Sequence, residues 1–353
     1  MAFLKINNVS IRGMSGCVPK NIEENKDLPF YSPEEASHMM EEIGIVRRHV
    51  APAEITVADL CYEAAAKLIE ELGWEKNSID LLALCTQTPD YINQPTSFLV
   101  HERLGLPQST MCLDFFHGCP GWVVSLSSVC SLVSAGNIKR AVLLDGDEVS
   151  KWIFANNREE RPLFGDAGTA TALEFNPHAS PFYFNIGSLS EEGKSLINPH
   201  GGFRNPYTMD SLKYTLDGRA GLLPKEKWIK VMDSMDVFSF AITKVPKAIK
   251  ALCAEFDIDV CNIDKLVLHQ ANEFMLENIA KRMKIPMEKV PLGLRYYGNT
   301  TSASIPLAIV TECQNQITTG MQKNLVCGFG TGLAWGTAYF ETDRIVCPDV
   351  VEV

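Results

Sequence analysis

A chain of 353 residues that is 46% hydrophobic can bury one large core or two ordinary ones, and 21% charged residues is too few for a disordered chain. The net charge of −11 argues against a surface built as a whole to grip nucleic acid or an anionic membrane. No apolar run reaches membrane-spanning length, the opening MAFLKINNVS lacks a signal-peptide core, and the 11 cysteines include no CxxC pair; a cytoplasmic chain with reduced thiols and no zinc ribbon is expected.

In chain order, TVADLCYEAAAKLIEELG (56–73) has helical periodicity and IDLLALCT (79–86) reads as a buried strand. DFFHGCPGW (114–122) leads into an apolar helix ending at Gly136, and AVLLDGD (141–147) is a second strand. After a Gly-, Pro- and charge-rich stretch come a helix over 235–256, the strand IDKLVLH (263–269) and the strand KNLVCGFG (323–330). Strands alternating with helices predict parallel sheets covered on both faces.

The two halves, 1–180 and 181–353, repeat one another. Ile79 and Ile263 open equivalent strands 184 residues apart, Gly118 and Gly298 precede helices 180 apart, and Leu144 and Val326 end strands 182 apart. A duplicated α/β architecture follows, which places Cys119, His269 and Asn299 at equivalent strand-to-helix or loop-to-helix junctions. Carboxyl ends of parallel strands are where α/β proteins bind ligands.

Each candidate has a structural alternative. Cys119 precedes Pro120, which suits the first helical position, so its thiol sits at a helix N-terminus that favours thiolate; otherwise it is a buried, inert cysteine. His269 ends an apolar strand just where polar Gln270 and Asn272 follow, fitting either a site imidazole or a satisfied core histidine. His117 is close to Cys119 but flanked by phenylalanines, and is read as lining a pocket. Asn299 is either an N-cap or a free amide donor, since Thr300 and Thr301 can also cap. CGFGTGLAWG (327–336) matches neither a P-loop nor a dinucleotide fingerprint; its alternative use is to bring backbone N–H groups near an oxyanion.

Four stretches in order, FHGCPGW, HQAN, YGNTTSAS and GFGTGLAWG, with GIVRRHVA and LFGDAGTATAL, resemble the β-ketoacyl-acyl-carrier-protein synthase III family of thiolase-fold condensing enzymes over nearly the whole chain. The resemblance implies two duplicated βαβαβ halves in an α-β-α-β-α stack. It implies that Cys119 takes an acyl group from a thioester, with Cys119 and Thr331 backbone N–H groups as oxyanion hole. His269 and Asn299 would then assist decarboxylation of malonyl-acyl-carrier protein and a Claisen condensation. Substrates would be acyl-CoA or acyl-carrier protein, with no metal or cofactor, in a homodimer. The alternatives are a specialised condensing enzyme of a secondary-metabolite or polysaccharide-acyl pathway, or a Cys-His-Asn hydrolase.

Departures bear on the substrate. His38 and Glu42 stand where the family has a Trp and an Arg, Phe274 replaces an Arg after HQAN, Gln94 replaces a gate aromatic, and Thr331 replaces a Gly. Gln94, Phe116, His117, Trp122 and Phe274 are expected to line the substrate pocket. A rim insertion at about 187–232 should shape substrate choice. Lys281 and Arg282, on the helix after HQAN, align with basic residues used for carrier docking.

Overall fold

Period-two alternation divides each buried strand between two cores. In Leu81–Cys85, Leu81 and Ala83 face one core while Leu82 and Leu84 face another. Arg140–Asp147 keeps step, with Ala141 and Leu143 on the first side and Val142 and Leu144 on the second. In Met321–Gly330, Val326 is separated in the same way from Leu325 and Cys327. Strands buried on both faces read as continuous apolar runs, as these do. The computed structural model describes residues 2–153, 155–199, 201–206, 208 and 231–353; residues 209–230 of the expected rim insertion lie outside them.

One sheet has the spatial order Val351–Glu352, Val9–Val18, Ala167–Phe175, Arg140–Asp147, Leu81–Cys85, Met111–Phe115. The other runs Ala2–Ile6, Phe182–Ser188, Ala334–Asp343, Met321–Gly330, Lys265–Leu268. Both carry a parallel pair followed by two antiparallel pairings, so the repeat extends to strand direction. The sheets are therefore mixed rather than parallel throughout. In the second, only Thr331–Leu333 separate two long strands, and so short a connection makes an antiparallel hairpin. The outermost strands are exchanged: Ala2 pairs with Ile186, and Val351 with Cys17.

The helices Gly121–Ser134 and Ser304–Glu312 lie between the sheets. Leu126, Val129, Ile305 and Ile309 share a core with Ala83 and Leu143 of one sheet and Val267 and Ala338 of the other. Helices apolar on all sides belong in such a place. Val57–Leu72 covers the outer face of the first sheet, and Ser234–Glu255 with Glu273–Met283 covers that of the second. The result is the five-layer α-β-α-β-α stack.

Trp122 belongs to this middle layer and not to a pocket. It is fully buried, and its Nε1–H donates to Thr171 Oγ1 at 3.1 Å. One residue into the helix, its ring turns between the sheets and meets Phe340 edge-on. No helix among the described residues is long and apolar enough to cross a membrane.

Candidate active site

Cys119 comes at the end of the turn after Met111–Phe115, with Pro120 as N-cap of Gly121–Ser134. Pro120 thus sits one residue ahead of the first helical position. The Cys119 side chain is buried, and the turn Thr331–Leu333 runs against it. A Cβ on Gly330 would lie 2.8 Å from both Cys119 Cβ and Sγ, and Gly330 has φ +150°, so only glycine fits there. Thr331, next along, shares a cavity with Cys119.

His269 follows the strand Lys265–Leu268, its backbone N–H bonded to the Cys327 carbonyl at 2.9 Å. Its Nδ1 lies 2.7 Å from Ser304 Oγ, which also accepts the Gln270 N–H at 3.4 Å. A hydroxyl that donates to Nδ1 leaves the ring's own N–H on Nε2. Phe329 meets the ring edge-on. Burial pushes the His269 pKa down to about 3, with a hydrogen bond to the Thr301 backbone opposing the shift only in part, so the imidazole is neutral. Gln270, buried, ties the loop by donating to the Leu268 and Pro291 carbonyls and accepting from Leu294 N–H.

Asn299 is held by its backbone. Its N–H donates to the Leu163 carbonyl at 2.8 Å, and its carbonyl accepts from Gly165 N–H at 3.2 Å. Its Oδ1 accepts the Thr301 N–H at 3.0 Å, which turns Nδ2 toward the cavity as a donor. The amide therefore does both things that the sequence left open: the oxygen makes a capping-type bond and the nitrogen stays available.

These groups meet in one cavity of about 360 Å³. Cys119, His269, Asn299 and Thr331 line it together with Phe116, one of the expected pocket residues. Three other expected residues do not line it. Gln94 is exposed, in a turn bridged to Tyr91. His117 is half-buried, four residues ahead of the helix Gly121–Ser134, and its carbonyl takes the Cys85 thiol at 3.7 Å. Phe274 is half exposed on the outer surface and stacks on Phe238 at 5.6 Å, because Glu273–Met283 turns its side chain away from the cavity that Asn272 and Met275 line. Lys281 and Arg282 are exposed in the last turn of that helix. Sequence reasoning missed Ser304 and Asp147; the only signal for Asp147 was an acid ending the apolar run AVLLDGD. Among the described residues no His, Cys, Asp or Glu cluster could hold a metal ion.

The depressed His269 pKa has a thermodynamic consequence. Below the ordinary histidine value of 6.5 the unfolded chain binds a proton that the native ring refuses, so this group removes stability as pH falls from about 6.5 toward 3. The loss amounts to about 2 kcal/mol at pH 5. Urea unfolding of His269→Gln at pH 7 and pH 5 should show a fall in stability smaller than wild type by that amount; identical slopes would mean the ring is not held neutral.

The described site lies within two family models. Residues 113–188 match 3-oxoacyl-[acyl-carrier-protein] synthase III, and residues 253–342 match its C-terminal model. The chain is 31% identical to a β-ketoacyl-[acyl-carrier-protein] synthase III of Rhodopirellula baltica, across 95% of this chain and 99% of that one. It is also 31% identical to the synonymous protein of Prochlorococcus marinus, across 96% and 98%. The crystal structure of a 3-oxoacyl-(acyl-carrier protein) synthase from Burkholderia xenovorans superposes with a TM-score of 0.92 at 34% identity, covering 100% of this chain and 99% of that one. The chain accordingly belongs to the 3-oxoacyl-[acyl-carrier-protein] synthase III family of thiolase-fold condensing enzymes and is an acyltransferase of that type.

Proposed function

We propose that the site runs two half-reactions at one sulfur. Cys119 thiolate attacks the carbonyl of an acyl thioester, acyl-CoA or acyl-carrier protein. The tetrahedral oxyanion is received by the N–H groups of Cys119 and Thr331, and the donor thiolate leaves. A malonyl-carrier thioester then loses CO₂, and its electron pair passes to the thioester as an enolate. His269 Nε2–H and Asn299 Nδ2–H donate to the enolate oxygen, and its carbon attacks the acyl-cysteine carbonyl. Collapse expels Cys119 thiolate and releases a 3-oxoacyl thioester. The observation that carries this reading is the pairing of two neutral N–H donors, His269 and Asn299, with a buried cysteine in one cavity. Neutral donors suit an enolate, because they stabilise it without protonating it.

Two partners are part of the proposal. The first is an acyl carrier protein, an acidic molecule that needs a local cationic landing site on an acidic synthase. Lys281 and Arg282 lie about 10 Å along their helix from cavity-lining Met275, a distance that phosphopantetheine-borne substrate can bridge. The second is another copy of this chain. Met111–Phe115 is the open edge of the six-stranded sheet, and exposed Met111, Phe116, Phe98 and Ile92 surround it. An unpaired edge with so much apolar surface invites a strand from a partner.

Incubated with acyl thioesters, the wild-type chain should gain the acyl mass and Cys119→Ala should not; an equal gain by the variant would move the nucleophile elsewhere. Lys281→Glu with Arg282→Glu should raise KM for carrier-bound substrates and spare small acyl thioesters, whereas equal losses on both would exclude docking there. Sedimentation should give twice the chain mass for wild type and a single chain mass for Phe98→Asp with Met111→Asp. A monomeric wild type at micromolar concentration would refute the dimer.

A further inference from the structure

Asp147 ends the strand Arg140–Asp147 with no exposed surface, and it lies outside the cavity lining. Its two carboxylate oxygens serve opposite halves of the molecule. Oδ1 accepts from Gln87 N–H at 2.8 Å and Thr86 Oγ1 at 3.1 Å, both in the loop after Leu81–Cys85. Oδ2 accepts from Ser302 Oγ at 2.8 Å, Ser302 N–H at 3.2 Å and, in a short contact, Thr301 Oγ1. All of these are donors, so the group works only as an acceptor on both oxygens. Burial pushes its carboxyl pKa up, and the donors from Thr301, Gln87 and Ser302 pull it back.

The Oδ2 side holds a strained residue. Thr301 has φ +50°, a left-handed conformation that a β-branched side chain adopts only when its surroundings impose it. In that conformation the Thr301 N–H meets Asn299 Oδ1, and its backbone also bonds His269. If Thr301 relaxed to an ordinary φ, its N–H would swing away and the Asn299 amide would be free to turn. Oδ1 holds Gln87, which lines the same cavity, but Cys119 itself is set by the start of Gly121–Ser134 and the close approach of Gly330.

We propose that Asp147 is a positioning residue for decarboxylation, clamping Thr301 and Ser302 so that the Asn299 amide points its N–H into the cavity. The proposal rests on the two-step reading above. It divides the site by half-reaction: the clamp acts on the His269–Asn299 side and not on the formation of acyl-Cys119.

Asp147→Asn tests it, because an amide presents N–H₂ to one of the two sets of donors, and a backbone N–H cannot accept from it. Acyl-enzyme formation is followed by intact mass, and CO₂ release from malonyl-carrier protein is followed on pre-acylated enzyme. Acylation should stay within about threefold of wild type, while CO₂ release should fall on the order of tenfold or more at saturating substrate. Ser302→Ala, which removes a single hydroxyl donor, should show the same split in milder form and settles the matter if Asp147→Asn does not fold. Equal losses in both half-reactions, or no loss in either, would overturn the clamp. A wild-type chain that forms no acyl-enzyme would instead overturn the two-step reading, and the clamp is then judged by CO₂ release from malonyl-carrier protein on the unacylated chain: release unchanged in both variants would end it.

Discussion

The two sheets bury one face each against the same pair of helices, and that shared layer decides where polar chemistry can sit. Gly121–Ser134 and Ser304–Glu312 are apolar around most of their circumference, so a reacting group within them would lose its solvation without gaining a partner. At their N-terminal ends, backbone N–H groups lack intrahelical partners and accept nearby negative charge. Cys119 lies two residues before the first helix and Asn299 five before the second. His269 reaches the same level from the end of Lys265–Leu268. The site is thus a polar seam at the helix N-termini near the centre of the sandwich.

How much of this could be read in the residues depended on the range of the interaction involved. Strands such as Leu81–Cys85 and Lys265–Leu268 were visible because burial on both faces leaves an unbroken apolar run. The internal repeat by itself puts Cys119, His269 and Asn299 at equivalent junctions. Side-chain direction around a helix start was harder. Trp122 and Cys119 are three residues apart, yet the first turns into the core and the second toward the cavity. Asp147 was overlooked because an acid at the end of LLDGD looks like a solvent-facing strand terminus. What buries it is a loop 154 residues later, and no local pattern announces that contact.

Asp145 and Asp147 show how position alone sets the behaviour of an acid. Both are fully buried on one strand, two residues apart. Asp147 is ringed by donors from both halves, whereas Asp145 has the Cys85 thiol and a weak hydroxyl donor in Ser125 at 3.4 Å. Burial accordingly drives the Asp145 carboxyl well above the usual range, and hydrogen bonds from the Cys85 thiol and Ser125 oppose it only in part. What separates the two acids is the Thr301–Ser302 segment, which arrives from the second half of the chain to bond Asp147.

The exchanged outer strands carry a consequence for biogenesis. Ala2–Ile6 adds to the sheet built by the second half of the chain, and Val351–Glu352 adds to the sheet built by the first. Ala2 must wait for Ile186, and Cys17 for Val351, so neither half can close its sheet while the ribosome is still making the other. Contacts this distant in sequence slow folding and keep strand edges open during synthesis. The nascent first half keeps one edge of Val9–Val18 unpaired until Val351–Glu352 emerges, an open strand edge of the kind that favours misassociation during synthesis.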